Sequence, residues 1–313
     1  MRHSSARSRL NYGPRCAPKD CWTLAPRCRK NDMTTCIDAH QHFWDLARND
    51  YGWLKPDLRP LYRSFGPSDL APLREQAGVA CTVVVQAAPT VEETRYLLDL
   101  ARGDASIAGV VGWVPLLDRD APALIANLKR DAKFKGVRPM LQDIPDDNWI
   151  ANPALAPAIE ALIEHDLAFD ALILIRHVDA LEAFATRFPA LRIVIDHGAK
   201  PPIHMGCAGW QPWADGIARL AQLPHVYCKL SGLATVAGDG WTEATLRPYV
   251  DHLIASFGTR RLMWGSDWPV VNLNGDYLRW HSVAIKLLDG LFDAEREAIF
   301  GVNAMEFYRL VNA

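Results

Sequence analysis

Short apolar or β-branched runs alternate with longer amphipathic stretches along most of the sequence, and this alternation constrains the fold more than any other feature. The pattern is typical of β–α–β units that build a parallel sheet. Eight runs have the composition of buried strands, and they span residues 36–40, 81–87, 107–114, 136–141, 168–174, 192–196, 226–230 and 261–265. Helix-like segments lie between them at residues 91–102, 121–132, 153–165, 180–188, 213–222, 243–257 and 276–288.

Eight strands with intervening helices predict a closed α/β barrel, the (β/α)8 or TIM barrel. The sequence contains neither G-x-G-x-x-G nor G-x-x-x-x-G-K, the phosphate-binding loops of nucleotide-binding sheets. A chain of 313 residues, 50% of them hydrophobic, can bury one large core. We therefore predict that residues 35–313 form a single barrel domain.

The N-terminal segment differs from the rest of the chain. Residues 1–32 hold eight Lys and Arg against two acidic residues, and they show no periodic apolar pattern. The segment has neither the apolar stretch of a secretory signal nor the amphipathic stripe of a transit peptide. We predict that residues 1–34 are a disordered extension outside the barrel, with Met33 as a candidate natural start.

Charge and cysteine content exclude several classes of function. The formal net charge of −2 gives no basic field that would attract nucleic acid or anionic lipid. The apolar runs are too short to span a membrane, and the seven cysteines lack the C-x2-C pairs of a structural zinc site. We therefore expect a cytoplasmic protein that acts on small molecules, with no nucleic-acid or membrane partner. The oligomeric state stays open.

Four candidate catalytic residues fall at the carboxyl ends of predicted strands, where a (β/α)8 barrel carries its reacting groups. His40 and His42 end the first strand, and side chains two residues apart on a strand point the same way. His197 directly follows the sixth strand, and Asp267 follows the eighth. Each alone could cap a helix or brace a loop. Together they predict one site that binds a divalent metal ion or polarises a carbonyl group.

Other polar and aromatic side chains near the same strand ends are candidates for substrate contact. Arg138 is the only arginine among them, whereas a dianionic substrate is usually held by several arginines. This scarcity favours a neutral, hydroxylated substrate. Tryptophan rings there either stack on a sugar-like ring or pack in the core. The candidates are Gln86, Trp113, Arg138, Gln142, Asp170, Lys200, Lys229, Ser231 and Trp268. His281 falls on a predicted helix and is interpreted as structural or solvated.

Four segments resemble motifs of the amidohydrolase-related family, and in particular its sugar lactonase branch. They are residues 38–45, 196–202, 228–233 and 263–270, and the likeness runs in order from about residue 36 to 310. The resemblance implies a distorted amidohydrolase-type barrel. It assigns His40 and His42 to the family's H-x-H motif, His197 to its histidine after strand six and Asp267 to its aspartate after strand eight.

The resemblance also implies an activity: hydrolysis of a sugar-derived lactone in L-sugar catabolism, with Asp267 as general base. L-Fucono-lactone is the favoured substrate. The alternatives are an L-rhamnono-, L-galactono- or muconolactone-type lactone, or metal-dependent decarboxylation on the same barrel.

The metal content of such a site is left open by the sequence. The superfamily's bridging lysine after the fourth strand has no counterpart in residues 136–140, so a binuclear centre is not expected. One Zn2+ or Mn2+ held by the three histidines and Asp267 is consistent with the sequence, and so is metal-independent catalysis.

Overall fold

The computed structural model describes residues 35–311, so the predicted extension at residues 1–34 lies outside the described residues. Eight parallel strands form one sheet in sequence order. A parallel bridge joins Gln41, at the end of the first strand, to Trp268, just beyond the last. The backbone N–H of His42 also donates to the carbonyl of Trp268 at 2.7 Å. The predicted (β/α)8 barrel is confirmed, and these contacts close it at its carboxyl end.

The strands agree with the eight predicted runs in number and order, although most are shorter. They are β1 Ile37–Gln41, β2 Cys81–Val85, β3 Ile107–Gly112, β4 Phe134–Val137, β5 Ala168–Ala171, β6 Arg192–Ile195, β7 Val226–Leu230 and β8 Leu262–Trp264. The largest difference is β4, predicted at residues 136–141. It ends before Pro139, which has no backbone N–H to offer a neighbouring strand, and a short 3-10 helix follows at Leu141–Asp143.

Each predicted helix is present, with ends that differ by a few residues. The α-helices of the described residues are α1 Pro67–Ala77, α2 Val91–Gly103, α3 Ala121–Leu128, α4 Ala156–Glu164, α5 Val178–Arg187, α6 Cys207–Ala221, α7 Leu233–Ala237, α8 Glu243–Phe257, α9 Tyr277–Leu287, α10 Asp293–Glu297 and α11 Asn303–Phe307. Helices α1, α7, α10 and α11 were not predicted. Within residues 35–311, none of the helices has the length and apolar character needed to cross a bilayer.

The strands are buried on both faces, as expected where helices cover the outside and side chains fill the inside. Phe169 of β5 packs in the large apolar cluster shared with the surrounding helices. Its neighbour Ala168 belongs to a smaller cluster inside the barrel, together with Phe307 and Tyr308 of the C-terminal segment. These C-terminal aromatic rings help to fill the barrel interior.

Candidate active site

Three imidazoles and one carboxylate meet at the carboxyl end of the barrel. Asp267 Oδ1 lies 3.4 Å from Nε2 of His42 and 3.7 Å from Nε2 of His40. Nε2 of His197 lies 3.9 Å from the same oxygen. The Nε2 atoms of His40 and His42 are 3.1 Å apart. The structure therefore brings together all four predicted catalytic residues, and each is at most 4% exposed.

The local backbone is irregular where these side chains are presented. The pairing of β1 with β2 changes register between Asp38 and Gln41, the stretch that contains His40. Such an irregularity re-aims a side chain relative to regular strand alternation. His197 and Asp267 have left-handed backbones, with φ of 55° and 57°. Positive φ is uncommon outside glycine and costs conformational energy, which the surrounding contacts must offset.

Asp38 supplies one of those contacts, and sequence reasoning gave it no role. Its Oδ1 accepts the backbone N–H of Ser266 at 2.8 Å and that of His40 at 3.2 Å. The carboxyl group thus ties the start of the loop after β8 to β1. Burial raises the pKa of Asp38 to about 7, and these hydrogen bonds act in the opposite direction. The short Asp-x-His spacing was the available sequence signal.

Each imidazole is held through its Nδ1 atom, so that Nε2 faces the centre of the site. His42 Nδ1 donates to the carbonyl of Val85 at 2.8 Å, which leaves Nε2 with a free lone pair. His197 Nδ1 lies 2.8 Å from the hydroxyl oxygen of Ser231. Nδ1 of His40 lies 3.0 Å from Nζ of Lys229. Ser231 and Lys229, predicted as possible substrate contacts, lie against the Nδ1 atoms of His197 and His40.

Burial controls the charges in the site. It lowers the pKa of His197 to about 4 and also lowers that of His42. The pKa of His40 falls well below its ordinary value through burial and the neighbouring charge of Lys229. Burial alone would raise the pKa of Asp267, but the imidazoles, led by His197, outweigh it and hold that pKa far below its ordinary value. At neutral pH the site therefore presents one carboxylate among neutral imidazoles.

A buried ion cluster lies against the site inside the barrel. Lys229 Nζ is 2.5 Å from Oδ2 of Asp170 and 3.0 Å from Oδ1 of Asp196. The hydroxyl of Tyr308 donates to the same Asp170 oxygen at 2.8 Å. Burial raises the pKa of Asp170 to about 6, although Lys229 opposes this shift. Asp170 is fully buried, and its Oδ1 has no hydrogen-bond partner within the described structure, so the substrate contact predicted for it stays a prediction.

Trp268 lies in the loop after β8. Its side chain is only 2% exposed and packs edge-on against Phe43 and Phe65, with ring centroids 6.0 and 5.2 Å apart. The ring therefore braces the loop after β8, and the substrate contact predicted for Trp268 stays a prediction. Its aromatic partners are far away in sequence, so no local signal predicts this packing.

Gln86 and Arg138 form a brace between the ends of β2 and β4. The side-chain amide of Gln86 donates to the carbonyl of Arg138 at 2.8 Å, and the guanidinium of Arg138 donates back to the carbonyl of Gln86. Arg138 Nη1 also donates to Asp196 Oδ2 at 3.3 Å. Within the described structure, Oε1 of Gln86 and Nε of Arg138 are buried without a partner. Both residues thus keep polar atoms free, and their substrate role stays a prediction.

Lys200 lies after β6, close behind His197 in the sequence. Its ammonium group donates to Oε1 of Gln142 at 2.5 Å, and burial lowers its pKa. This contact joins the loops that follow β4 and β6. The substrate contact predicted for Lys200 stays a prediction.

A cavity of about 380 Å3 lies between the loops that follow β3 and β4. Trp113, Leu116, Met140 and Trp149 give it a largely apolar lining. Met140 Sδ lies 3.2 Å from Nε2 of Gln86, which places the cavity next to the polar residues at the end of β2. The cavity therefore sits on the catalytic face of the barrel, and it contains the predicted contact Trp113.

The residues of the site fit one divalent metal ion. In tetrahedral zinc sites with nitrogen and oxygen ligands, neighbouring ligand atoms are roughly 3.3 Å apart. The Nε2 atoms of His40 and His42 are 3.1 Å apart and lie 3.7 and 3.4 Å from Asp267 Oδ1, which are separations of this size, and Nε2 of His197 lies 3.9 Å from the same oxygen. The carbonyl of Val85 is the kind of outer partner that orients a metal-binding histidine. Lys135, the lysine of β4, does not take the place of the superfamily's bridging lysine. Its ammonium group donates to the carbonyl of Arg309 at 2.9 Å.

An eight-stranded parallel barrel with an H-x-H pair on β1, a histidine after β6 and an aspartate after β8 defines a hydrolase of the amidohydrolase type. The chain belongs to the amidohydrolase family, whose model matches residues 37–310. It is 52% identical over 282 residues to an L-fucono-1,5-lactonase of Burkholderia ambifaria, covering 89% of this chain and 97% of the relative. A second L-fucono-1,5-lactonase, from Burkholderia multivorans, is 36% identical over 286 residues, covering 88% of this chain and 96% of the relative.

Comparison with solved structures also finds proteins that share this fold. An amidohydrolase from Burkholderia multivorans with bound zinc superposes with a TM-score of 0.84 at 35% identity, covering 88% of this chain and 100% of the other. A 5-carboxyvanillate decarboxylase from Sphingomonas paucimobilis has a TM-score of 0.60 at 14% identity, covering 89% of this chain and 100% of the other. The second likeness concerns the fold alone.

Proposed function

We propose that this protein hydrolyses L-fucono-1,5-lactone to L-fuconate. The observation that carries the proposal is the carboxylate of Asp267, which lies within 3.9 Å of the Nε2 atoms of three buried histidines. The 52% identity to an L-fucono-1,5-lactonase over nearly the whole of that relative supports this substrate. The enzyme acts on a free small molecule in the cytoplasm and needs neither nucleic acid nor a membrane.

Opening a lactone makes three chemical demands. A water molecule must lose a proton, the carbonyl oxygen must be stabilised as it becomes negative, and the departing ring oxygen must gain a proton. Asp267 is the base that takes the proton from water and then passes it to the ring oxygen. Its lowered pKa keeps it ionised at neutral pH, the form in which a carboxylate can act as a base. Imidazole N–H groups of His40 and His197 that face the site stabilise the oxyanion, and their effect is larger because water is excluded.

His40, His42 and Asp267 form a group that would hold one Zn2+ or Mn2+, and Nε2 of His197 lies 3.9 Å from the same Asp267 oxygen. Such an ion would polarise the carbonyl group and lower the pKa of a water molecule. The orientation of the histidines by Val85 and Ser231 serves either form of the enzyme, because it directs each Nε2 inward.

The apolar cavity suggests how the sugar lies in the site. L-Fucono-lactone is a 6-deoxy sugar, so it carries a methyl group where L-galactono-lactone carries a hydroxymethyl group. An apolar wall formed by Trp113 and Met140 favours the methyl group, because a hydroxyl group there would lose hydrogen bonds to water. The free polar atoms of Gln86 and Arg138 face the ring hydroxyls.

A proton-release assay tests the proposal, since each hydrolysis produces one acid group. The purified protein is mixed with fresh L-fucono-, L-galactono-, L-rhamnono- and D-arabinono-lactones and a pH indicator, with and without a chelator. The expected result is the fastest turnover on L-fucono-1,5-lactone. Faster turnover of another lactone would overturn the assignment of L-fucono-1,5-lactone as the substrate. If none of the four lactones gives proton release and an aromatic carboxylate gives carbon dioxide, the reaction class is decarboxylation and the lactonase proposal is wrong.

A further inference from the structure

The first turn of α2 carries two buried polar side chains that the reaction described above does not use. Glu93 and Thr94 are both 0% exposed, and α2 is the helix between β2 and β3. A buried carboxyl or hydroxyl group costs free energy unless it forms hydrogen bonds. The partners of these side chains therefore indicate what the turn holds in place, and they lie in the loops that follow β2 and β3.

Glu93 holds the backbone directly after Gln86. Its Oε1 accepts the N–H of Ala87 at 3.0 Å, and its Oε2 accepts the N–H of Ala88 at 2.7 Å. The indole N–H of Trp53 donates to the carbonyl of Ala87 at 2.7 Å. Two side chains thus fix the backbone that follows Gln86, and they limit where the Gln86 amide group can lie. The Oε1 atom of that amide has no partner within the described residues.

Thr94 holds the backbone of Trp113, which lines the apolar cavity. Its hydroxyl oxygen accepts the N–H of Trp113 at 2.7 Å, and the hydroxyl group donates to the carbonyl of the same residue at 3.0 Å. The approach is so close that a Cβ atom at Gly112 would overlap the methyl group of Thr94. One side chain therefore satisfies both backbone polar groups of Trp113 and fixes the backbone that carries its indole ring.

We propose that Glu93 and Thr94 are positioning residues, which set the two walls of the substrate pocket from a single helical turn. Glu93 places the polar wall at Gln86, which faces the ring hydroxyls of the lactone. Thr94 places the apolar wall at Trp113, which faces the methyl group. Because Glu93 and Thr94 are neighbours on α2, the helix sets the spacing between the two walls. The inference rests on the proposed function for the identity of the substrate.

Hydrogen exchange followed by mass spectrometry tests the contacts without any lactone. Glu93→Met removes both acceptor oxygens, and Thr94→Val removes the hydroxyl group but keeps the shape of the side chain. Exchange should speed up by roughly fivefold, the factor for one lost hydrogen bond, at Ala87 and Ala88 in the first variant and at Trp113 in the second. Glu93→Gln keeps one acceptor oxygen and should show a smaller increase. Unchanged exchange at these amides in the folded variants would overturn the proposal.

The second test compares kcat/KM for L-fucono-1,5-lactone and L-galactono-lactone. In Thr94→Val the ratio of the two should fall by up to roughly fourfold, the value of one methyl-sized apolar contact. In Glu93→Met both kcat/KM values should fall together, by up to about 100-fold, since the misplaced Gln86 faces hydroxyls that both lactones carry. Glu93→Gln should recover part of this loss, because it keeps one acceptor.

Two matched controls make the same substitutions far from the pocket. Glu295 accepts the N–H of Phe292 at 2.9 Å in the first turn of α10, and Thr242 accepts the N–H of Thr245 at 3.3 Å at the start of α8. Glu295→Met and Thr242→Val should keep the wild-type kcat/KM values and their ratio. Urea unfolding of every variant separates a loss of stability from a change in the pocket.

Two kinetic outcomes would overturn the proposal. One is an unchanged lactone ratio in a Thr94→Val protein whose Trp113 amide exchanges faster. The other is a loss of activity in Glu295→Met as large as that in Glu93→Met. If Glu93→Met does not fold, Glu93→Gln decides in its place. If the wild type hydrolyses none of the lactones, the proposed function fails, and the exchange measurement still decides whether Glu93 and Thr94 hold the two loops.

Discussion

The backbone N–H of Asp267 donates to the carbonyl of His40 at 2.8 Å, while the side chains of the same two residues approach to 3.7 Å. The loop after β8 is thereby fixed to β1 through its backbone, independently of the charge on the carboxylate. Asp267 also has a left-handed backbone, a conformation that asparagine adopts more readily than most residues. Asparagine can therefore replace it without disturbing the loop.

Asp267→Asn should abolish most of the lactonase activity in a protein that still folds. General base catalysis contributes roughly 100- to 10,000-fold, and kcat/KM should fall by about that amount. Activity on L-fucono-1,5-lactone and thermal unfolding should be measured on the same preparation. Nearly normal turnover by a folded Asp267→Asn protein would remove Asp267 from the role of base.

Gly232→Ala should damage the site through His197. A Cβ atom at residue 232 would lie 2.6 Å from the imidazole Cγ, and the glycine has φ of +64°. The displaced ring would lose its alignment with Ser231 and Asp267, and small misplacements of catalytic groups can cost about 100-fold in rate.

Gly78→Ala is the control for that substitution. Gly78 has φ of +72° and nothing within 4 Å of the added atom, so it shares the backbone strain of about 1 kcal/mol without the clash. Gly232→Ala should lose more stability than Gly78→Ala in urea unfolding, because it adds the clash to the shared strain, and only Gly232→Ala should lose activity. Equal kcat/KM for the two would mean that His197 tolerates displacement.

The sequence predicts the barrel and the four candidate catalytic residues because both depend on local signals. Strand-sized apolar runs and polar residues just beyond them can be located without knowing which strands are neighbours. The roles of Asp170, Lys229 and Trp268 depend instead on contacts across the barrel. Asp170 reaches Lys229 and Tyr308, and the ring of Trp268 meets aromatic rings more than two hundred residues earlier in the chain. No spacing in the sequence encodes these partners.

Trp113→Ala should weaken the preference for a 6-deoxy lactone. Burying one methyl-sized apolar group is worth about 0.8 kcal/mol, so the ratio of kcat/KM for L-fucono- over L-galactono-lactone should fall by roughly fourfold. Phe292→Ala truncates an exposed ring outside the cavity and should leave the ratio unchanged. An unaltered ratio in Trp113→Ala would place the methyl group elsewhere in the site.

His281 should make the protein less stable as the pH falls. Its ring on α9 packs edge-on against Trp264 and Phe300, and burial lowers its pKa to about 4. The unfolded chain takes up this proton near pH 6.5 and the folded protein only near pH 4, so stability is lost between these values, by at most about 3 kcal/mol. His281→Phe keeps a ring against both neighbours and removes the proton.

Urea unfolding of wild type and His281→Phe between pH 7 and pH 4.5 measures this contribution. The two unfolding free energies should diverge as the pH falls, with the variant losing less. His204→Phe, at an exposed position, is the matched control for replacing a histidine with phenylalanine. Parallel curves for wild type and His281→Phe would mean that His281 takes up its proton in the folded protein as readily as in the unfolded chain. Divergence confined to His281→Phe would assign that part of the acid sensitivity to a partly buried ring outside the catalytic site.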